Sequence, residues 1–265
     1  MSIYSDPKRE HDSFYKNEDH FSHPKEYFKK AGSILTKEMS SRDINHKLDF
    51  LDIGCAAGDF LRYIDSITNK KHSINFFGSD VMHQLIEESK KRFPKGRFEY
   101  SDLSKKKVNL ENIFNTQFDF ISMLSVHMIF DELFWIKNIV KSLKGGGLAI
   151  IWGLFNPYPY DLIMRVKKSG EDHYEPGWNV HSKKSILQSC KSLNVDCKFI
   201  DFQPDIDLNR DPEDGLRSWS LKVDSVNKAN SIENNIPIFE SEKERIFTSA
   251  TRIIHDFSFC LIKKI

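Results

Sequence analysis

The stretch LDFLDIGCAAGD, residues 48–59, predicts how the rest of the chain is arranged. Its apolar run indicates a buried strand, which ends close to an acidic residue, Asp52. A loop of small residues follows, and from Phe60 onward apolar side chains recur at helical spacing. Strand, small-residue loop and helix in this order form a cleft for a ligand, because backbone N–H groups at the start of the helix face it.

The charges around this loop predict the kind of ligand that the cleft binds. A dinucleotide fingerprint, GxGxxG, beginning at Gly54 needs glycines at positions 56 and 59, where the chain has Ala56 and Asp59. A carboxylate at Asp59, in the first turn of the helix, would repel a pyrophosphate from the N-terminus that otherwise attracts it. The cleft is therefore suited to a cationic or zwitterionic ligand.

Four more strands are predicted further along, with helices between them. SINFFGS ends at Asp80, RFEY leads into Asp102, FDFISML leads into Ser125, and LAIIW ends at Trp152. A strand that alternates with a helix about five times in this way is typical of a parallel, doubly wound sheet. Ligands of such sheets bind at the carboxyl ends of the strands, which is where these residues fall.

These motifs are similar to those of a known family. DIGCAAG resembles the first motif of class I S-adenosylmethionine (SAM) dependent methyltransferases, and LKGGGLAII resembles the turn before their fifth strand. The resemblance implies an α/β fold with a doubly wound, mostly parallel seven-stranded sheet, called Rossmann-like. We expect a helical N-terminal arm over residues 1–46 and a SAM-binding domain over residues 47–265, with substrate-facing insertions at about 154–181 and 205–250.

The C-terminal third is predicted from its patterning and from the same resemblance. Ser182 is expected to cap a helix with Ile186, Leu187 and Cys190 facing inward. A sixth strand is predicted at 195–202, and the segment 253–262 is expected to be the antiparallel seventh strand. The alternating piece SWSLKV, residues 218–223, is a candidate to pair with that last strand.

The resemblance also implies which residues bind the cofactor. Asp80 is expected to accept hydrogen bonds from the ribose hydroxyls, and Asp102 from the adenine amine. Asp52 and Asp59 are expected near the cationic methionyl end of SAM. His20 and the aromatic side chains Tyr15 and Tyr27 of the arm are candidates to cover bound SAM. The expected cofactor-binding residues are Asp52, Gly54, Cys55, Ala56, Gly58, Asp80, Val81, Asp102, Leu103, Leu124 and Ser125.

The candidate catalytic residues are histidines, because a hydroxyl acceptor needs a nearby base for its proton. His127 follows the fourth strand, whose end faces the methyl group in this family, and it is the first candidate. The alternative for His127 is a packing role in the next turn. His181 and His173 are the other candidates. The sequence shows no cluster of hard carboxylates apart from the expected cofactor residues, so no metal is expected.

The aromatic and polar segment after Gly153 predicts a small polar acceptor. The candidate substrate-binding residues are Asn156, Tyr158, Arg165, Trp178, Asn179 and Arg217. The order of elements loosely resembles methyltransferases of surface-polysaccharide and secondary-metabolite pathways, which implies O-methylation of a sugar or nucleotide-sugar. Two alternatives stay open: a nicotinamide-dependent oxidoreductase, disfavoured by Ala56 and Asp59, and a non-catalytic binding protein on the same fold.

Composition restricts partners and location. Lys plus Arg number 39 and Asp plus Glu 38, a balance that gives no sign of a nucleic-acid partner. The four cysteines lack metal-site spacing and are expected to be reduced thiols of a cytoplasmic protein. Neither a signal peptide nor an apolar run of membrane-spanning length is recognisable in the sequence. The oligomeric state is left open.

Overall fold

The elements of the chain follow the predicted alternation. A computed structural model describes residues 16, 19–68, 72–103, 105, 108–130, 132–167, 169–170, 172, 174–176, 179–202, 220–222, 239–241, 245–247 and 256–265. The first half contains α1 (Glu26–Met39), β1 (Leu48–Ile53), α2 (Asp59–Ile67), β2 (Ile74–Asp80), α3 (His83–Arg92), β3 (Arg97–Tyr100), α4 (Leu110–Phe114) and β4 (Phe118–Leu124). The second half contains α5 (Phe134–Ser142), β5 (Leu143–Asn156), β6 (Arg165–Val166), β7 (Glu175–Pro176), β8 (His181–Ser182), α6 (Lys183–Ser192), β9 (Val195–Asp201), β10 (Ser220–Lys222), β11 (Phe239–Ser241), β12 (Arg245–Phe247) and β13 (Asp256–Lys264).

The main sheet has the strand order β3-β2-β1-β4-β5-β13-β9, and the short β8 pairs with β5 outside this path. Strands β1 to β5 pair in parallel. Strand β13 runs antiparallel between β5 and β9. The predicted Rossmann-like, mostly parallel sheet is therefore confirmed, as is its antiparallel last strand. The two-residue β8 is an addition that the sequence did not predict.

The sheet buries an apolar layer on each face. Phe50 and Leu51 are neighbours in β1, yet Phe50 belongs to the layer under α1, α2 and α3, and Leu51 to the layer under α4, α5 and α6. Successive side chains of a strand point to opposite faces of the sheet, so these two neighbours enter different layers. Strand β4 is buried over its whole length, as expected of a strand covered by helices on both faces.

The N-terminal helix packs against α2. Ala31 and Leu35 are fully buried in this contact layer. Gly32 permits the close approach, because a Cβ at this position would lie 2.7 Å from Cδ1 of Ile67. The predicted arm helix is thus observed, whereas its division from the rest at residue 46 stays a prediction.

Several boundaries differ from the predictions. Strand β5 begins at Leu143, so the glycines of LKGGGLAII lie within the strand, where the pairing with β4 shifts register after Phe118. The backbone of β10 pairs with β12 and not with β13. Ser182 caps α6 as predicted, its Oγ accepting from the Ser185 N–H at 3.0 Å, but Leu187 is exposed rather than inward. In the described part of the chain, no helix has the length and apolarity needed to cross a membrane.

Candidate active site

The loop between β1 and α2 brings its backbone to the cleft through residues with positive φ. Gly54 has φ 71°, Ala56 has φ 46° and Gly58 has φ 84°. A side chain at position 54 would collide with Val126, whose Cγ2 would lie 2.2 Å from the added Cβ. Ala56 occupies the place of the family's middle glycine at a cost of about 1 kcal/mol for an L-residue in this region.

A cleft lies at the carboxyl ends of β1 to β4. Ten of the eleven expected cofactor-binding residues line it: Asp52 in β1, Gly54, Cys55 and Ala56 in the loop after it, Asp80 and Val81 at the end of β2, Asp102 and Leu103 after β3, and Leu124 and Ser125 at the end of β4. The eleventh, Gly58, instead occupies the N-cap position of α2 in a left-handed conformation. The arrangement is the one predicted, and cofactor binding by these residues stays a proposal.

Asp80 links the glycine-containing loop to the start of α3. One carboxylate oxygen accepts from the Ala56 N–H at 3.0 Å, and the other accepts from the Met82 N–H at 2.9 Å. Each oxygen retains lone pairs for a ligand, since a carboxylate has about four acceptor positions. This geometry fixes an anionic acceptor in the cleft.

Asp52 is an almost completely buried carboxyl group in the same cleft, 3% exposed. Burial raises its pKa most, the hydrogen bond from Ser122 lowers it and the nearby Asp80 raises it, which leaves the pKa at about 7. That hydrogen bond runs from Ser122 Oγ to Oδ1 at 2.6 Å. Because its pKa lies near neutrality, Asp52 is a group whose charge a bound cation would stabilise.

Asp59 has contacts that the sequence did not predict. Its Oδ2 accepts from the His20 N–H at 3.1 Å, and its Oδ1 lies 3.2 Å from Nη1 of Arg62 and 3.6 Å from Nη1 of Arg92. Asp59 also lines the cleft, and its role at the cationic methionyl end stays a prediction. Two guanidinium groups already neutralise this carboxylate, and it anchors the N-terminal segment to α2.

The N-terminal segment forms one wall of the cleft. His20, Lys25, Tyr27 and Phe28 line it. Next to them, the ring of Phe21 lies under the guanidinium of Arg62, 4.3 Å from its centre. Of the candidates to cover the cofactor, His20 and Tyr27 thus line the cleft, whereas Tyr15 lies outside the described residues. The sequence prediction missed Lys25.

Two hydroxyl groups in the cleft fit a polar ligand. Ser79 and Ser101 are buried, and their Oγ atoms have no hydrogen-bond partner among the described residues. A buried hydroxyl without a partner costs free energy, which a ligand with matching polar groups would recover. Both serine residues line the cleft together with Asp80.

His127 does not face this cleft. Its ring is fully buried on the other side of the sheet, stacked on Phe155 with centroids 4.6 Å apart. Nε2 lies 3.3 Å from the Leu154 carbonyl oxygen, and burial lowers the pKa of His127 to about 3. An inaccessible imidazole that stays neutral to low pH packs the core. This geometry corrects the prediction that His127 is the base and favours the packing alternative.

The other two candidate histidines have no support as bases. His181 is buried, and its Nε2 lies 2.8 Å from the backbone oxygen of Phe130. It therefore fixes β8 to the turn after β4 instead of lining the cleft, which corrects its predicted role. His173 lies outside the described residues.

The described candidates for substrate binding hold the insertion together. Asn156 and Asn179 are completely buried. The Asn156 amide donates to the Tyr160 carbonyl at 2.9 Å, and its oxygen accepts from the Tyr158 N–H at 3.0 Å. Asn179 accepts from the Met164 N–H at 2.8 Å. Both amides thus satisfy backbone groups of the loop.

Neither Tyr158 nor Arg165 lines the cleft in the part of the chain that the structure describes. Arg165 is exposed, with Nη1 donating to the Met164 carbonyl at 3.0 Å. The predicted substrate-facing role is corrected for the buried Asn156 and Asn179, and it stays a prediction for Tyr158 and Arg165. Trp178 and Arg217 lie outside the described residues.

The wall opposite the arm is apolar, and sequence patterning did not identify it. Val126, Met128, Ile129 and Phe130, which follow β4, line the cleft there. The insertion supports this wall from behind, because the Asn179 N–H donates to the Met128 carbonyl at 2.6 Å. The apolar residues in the stretch after FDFISML, residues 126–130, were the available signal. Within the described ranges, no group of three or more His, Cys, Asp or Glu side chains is arranged to hold a metal ion.

Comparison with known proteins shows what the part of the chain that forms this cleft is similar to. Residues 51–151 match the family model described as Methyltransferase domain. Over 170 residues the chain is 24% identical to a malonyl-[acyl-carrier protein] O-methyltransferase of Acetivibrio thermocellus, covering 61% of this chain. The match spans 56% of the length of that relative.

Solved structures share the fold at low sequence identity. A structure from Listeria monocytogenes, described as an S-adenosylmethionine dependent methyltransferase, is 12% identical with a TM-score of 0.52, covering 89% of this chain and 99% of the other. An S-adenosylmethionine dependent methyltransferase from Mesorhizobium loti is 11% identical with a TM-score of 0.50, covering 86% and 96%. At this level of identity the likenesses show a shared fold.

Proposed function

We propose that this chain is a class I SAM-dependent methyltransferase that methylates an oxygen atom of a small acceptor bound between the N-terminal arm and the apolar wall after β4. The observation that carries this proposal is the set of acidic and small residues at four successive strand ends, all lining one cleft. The methyl donor of such a domain is SAM, which supplies an electrophilic methyl group and leaves as S-adenosylhomocysteine (SAH).

The residues of the cleft have distinct roles in this proposal. Asp80 binds the ribose hydroxyls and Asp102 the adenine amine, while Asp52 stabilises the positive charge of the methionyl end. The protein contributes chiefly by positioning, since methyl transfer is an in-line displacement whose rate depends on the placement of the acceptor oxygen. The arm residues Lys25 and Tyr27 supply polar groups beside that position.

We assign the role of proton acceptor to His20 of the N-terminal arm in place of His127. Among the described histidines, His20 is the one that lines the cleft. A hydroxyl acceptor must lose its proton, and an imidazole is suited to accept it near neutral pH. We expect His20→Ala to reduce kcat at least tenfold with little change in SAH affinity, and His127→Ala to leave kcat of the folded fraction unchanged.

The first acceptor class is a hydroxyl of a sugar or nucleotide-sugar. The polar lining side chains of the arm support it, although the amides of the insertion do not line the described cleft. A cytoplasmic location and the absence of a nucleic-acid partner remain predictions from composition.

The second acceptor class is the carboxyl group of an acyl chain on a carrier protein. It is favoured by the apolar wall of Val126, Met128, Ile129 and Phe130 and by the similarity to a malonyl-[acyl-carrier protein] O-methyltransferase. An apolar surface suits the methylene groups of an acyl chain better than a sugar ring.

One assay separates these classes. Purified protein and SAM are incubated with a panel of nucleotide-sugars and, separately, with malonyl-loaded carrier protein, and SAH release is measured. Turnover with one panel assigns the acceptor class. Absence of SAH binding by calorimetry would contradict the methyltransferase proposal, and quenching of Trp fluorescence by NADH instead of SAH would favour the oxidoreductase.

A further inference from the structure

Three of the four cysteines meet at one end of the sheet although they are distant in sequence. Cys190 lies on α6, Cys197 on β9 and Cys260 on β13. The Sγ atoms of Cys197 and Cys260 are 3.6 Å apart, although the two residues are 63 positions apart in the chain. Sequence spacing indicated only scattered thiols, because the pairing of β9 with β13 creates the cluster.

The strand register explains the contact. Cys197 is opposite Ile262, and Cys260 is opposite Phe199, so the two cysteines are diagonal neighbours across an antiparallel pair. The two cysteines are offset by two residues in the strand register, so their side chains lie on the same face of the sheet. Strand β9 is the terminal strand of the sheet order. A terminal strand with one neighbour can shift slightly without breaking a second ladder.

The three thiols differ in accessibility. Cys190 and Cys260 are fully buried, whereas Cys197 is partly exposed. Hydrogen bonds from Cys190 and then from Cys260 lower the pKa of the Cys197 thiol, while burial raises the pKa of Cys260. The thiolate is the reactive form of cysteine, and a reactive cysteine combines thiolate character with solvent access. Cys197 alone among the three meets both conditions.

We propose that Cys197 is an oxidant-sensitive modification site that forms a reversible disulfide with Cys260 when the protein meets a peroxide. The Cys197 thiolate attacks one peroxide oxygen, the O–O bond breaks, and the departing hydroxide takes a proton to give water and a sulfenic acid on Cys197. The Cys260 sulfur then attacks the Cys197 sulfur, the S–O bond breaks, and the hydroxide leaves as water with the Cys260 proton. Two thiols are oxidised by two electrons, and one hydrogen peroxide is reduced to two waters.

The geometry also predicts that this disulfide is easily reduced. The sulfurs must approach from 3.6 Å to about 2.05 Å, and a diagonal pair closes with some distortion of the edge strand. Strained disulfides have higher reduction potentials and are the labile ones. A dithiol reductant is therefore expected to restore both thiols.

The test uses the full-length protein with hydrogen peroxide as the probe. We expect titratable thiols in the denatured protein to fall from four to two, with a mass loss of two hydrogens and a peptide that joins Cys197 to Cys260. Dithiothreitol should restore all four. An unchanged thiol count at peroxide levels that oxidise free cysteine would overturn the proposal.

Matched variants assign the pair. Cys190→Ser should still form the crosslink, whereas Cys197→Ser should form none. In Cys260→Ser and in Cys260→Ala, oxidation should stop at a sulfenic acid on Cys197, which dimedone traps. Two variants are used so that a folding defect in one of them does not decide the result. A crosslink between Cys190 and Cys197, or oxidation that persists in Cys197→Ser, would refute the assignment.

Discussion

Tyr27, on the N-terminal helix, and Trp152, in the last third of β5, lie face to face with ring centroids 3.9 Å apart and planes 7° apart. Phe257 at the start of β13 also stacks on this indole, at 5.6 Å. Since Tyr27 lines the cleft as well, the same ring that fixes the arm to the sheet shapes the ligand site.

Tyr27→Ala should therefore weaken both folding and ligand binding. Loss of the stacked pair is expected to lower the free energy of unfolding by about 1 kcal/mol beyond the lost apolar burial. Urea denaturation measures the first effect and SAH calorimetry the second. Tyr27→Phe is the control, because it keeps the ring and removes only the hydroxyl. Equal stability of the Ala and Phe variants would contradict the anchoring role.

Asp80→Asn should weaken SAM binding at least tenfold. The amide retains one acceptor oxygen of similar size but loses the charge and one of the two acceptors that the ribose hydroxyls need. Isothermal titration calorimetry with SAM and SAH measures the change. Asp65→Asn serves as the control, since that carboxylate forms an ion pair with Lys95 on the surface. Affinity equal to that of the unmodified protein would exclude Asp80 from the ribose site.

The packing of His127 against Gly153 predicts a dependence between the two positions. A Cβ at Gly153 would lie 2.2 Å from Cε1 of His127. Gly153→Ala alone is expected to cost about 1–3 kcal/mol by overpacking. His127→Ala is expected to cost about 3 kcal/mol through the cavity it leaves.

A double-mutant cycle measures this dependence. In the His127→Ala background the methyl group of Gly153→Ala enters the cavity, so its cost should fall close to zero. Guanidinium denaturation of the four proteins provides the free energies of unfolding. Additive effects would show that the two residues are not in contact.

Asp52 predicts how stability changes with pH in the absence of ligand. The unfolded chain loses this proton near pH 4, whereas the folded protein retains it to about pH 7. Between these values the folded state binds more protons than the unfolded state, so its stability decreases as pH rises. The full rise in the pKa of Asp52 corresponds to a change of at most about 4 kcal/mol in the free energy of unfolding.

Asp52→Asn removes this titration and keeps an acceptor for the Ser122 hydroxyl. The difference in unfolding free energy between Asp52→Asn and the unmodified protein should grow from pH 4 to pH 7 and then level off. Asp65→Asn, at a partly exposed position of α2, should show no such growth. A constant difference across this range would mean that Asp52 is ionised in the folded protein throughout.

Local sequence was sufficient for the elements that bind the cofactor. LDFLDIGCAAGD combines a strand, small residues for a tight loop and a helix start, and each of these is encoded by neighbours in the chain. Asp80 and Asp102 could be placed because the carboxyl ends of parallel strands share one edge. Even here, the contacts of Asp59 with Arg92 and with the His20 N–H were not predicted, since these partners come from other segments.

The histidines and amides were harder to place from sequence. His127 lies three residues after the end of β4, where a shift of one residue decides which side of the sheet a side chain enters. Asn156 and Asn179 have the composition of a binding loop, but buried backbone groups in an irregular segment need partners, and these amides supply them. Residue type alone does not distinguish an amide that binds a substrate from an amide that binds the backbone of its own loop.

The sequence by itself determined the order of the main strands and helices, the cleft at the strand ends and the resemblance to a family, because hydrophobic period and turn chemistry are local properties. The tertiary structure alone decided which side chains meet across that frame. His20 faces the cleft while His127 is buried, and Cys197 contacts Cys260. Such contacts depend on strand register and on the docking of the arm, which join residues with no regular spacing in the chain.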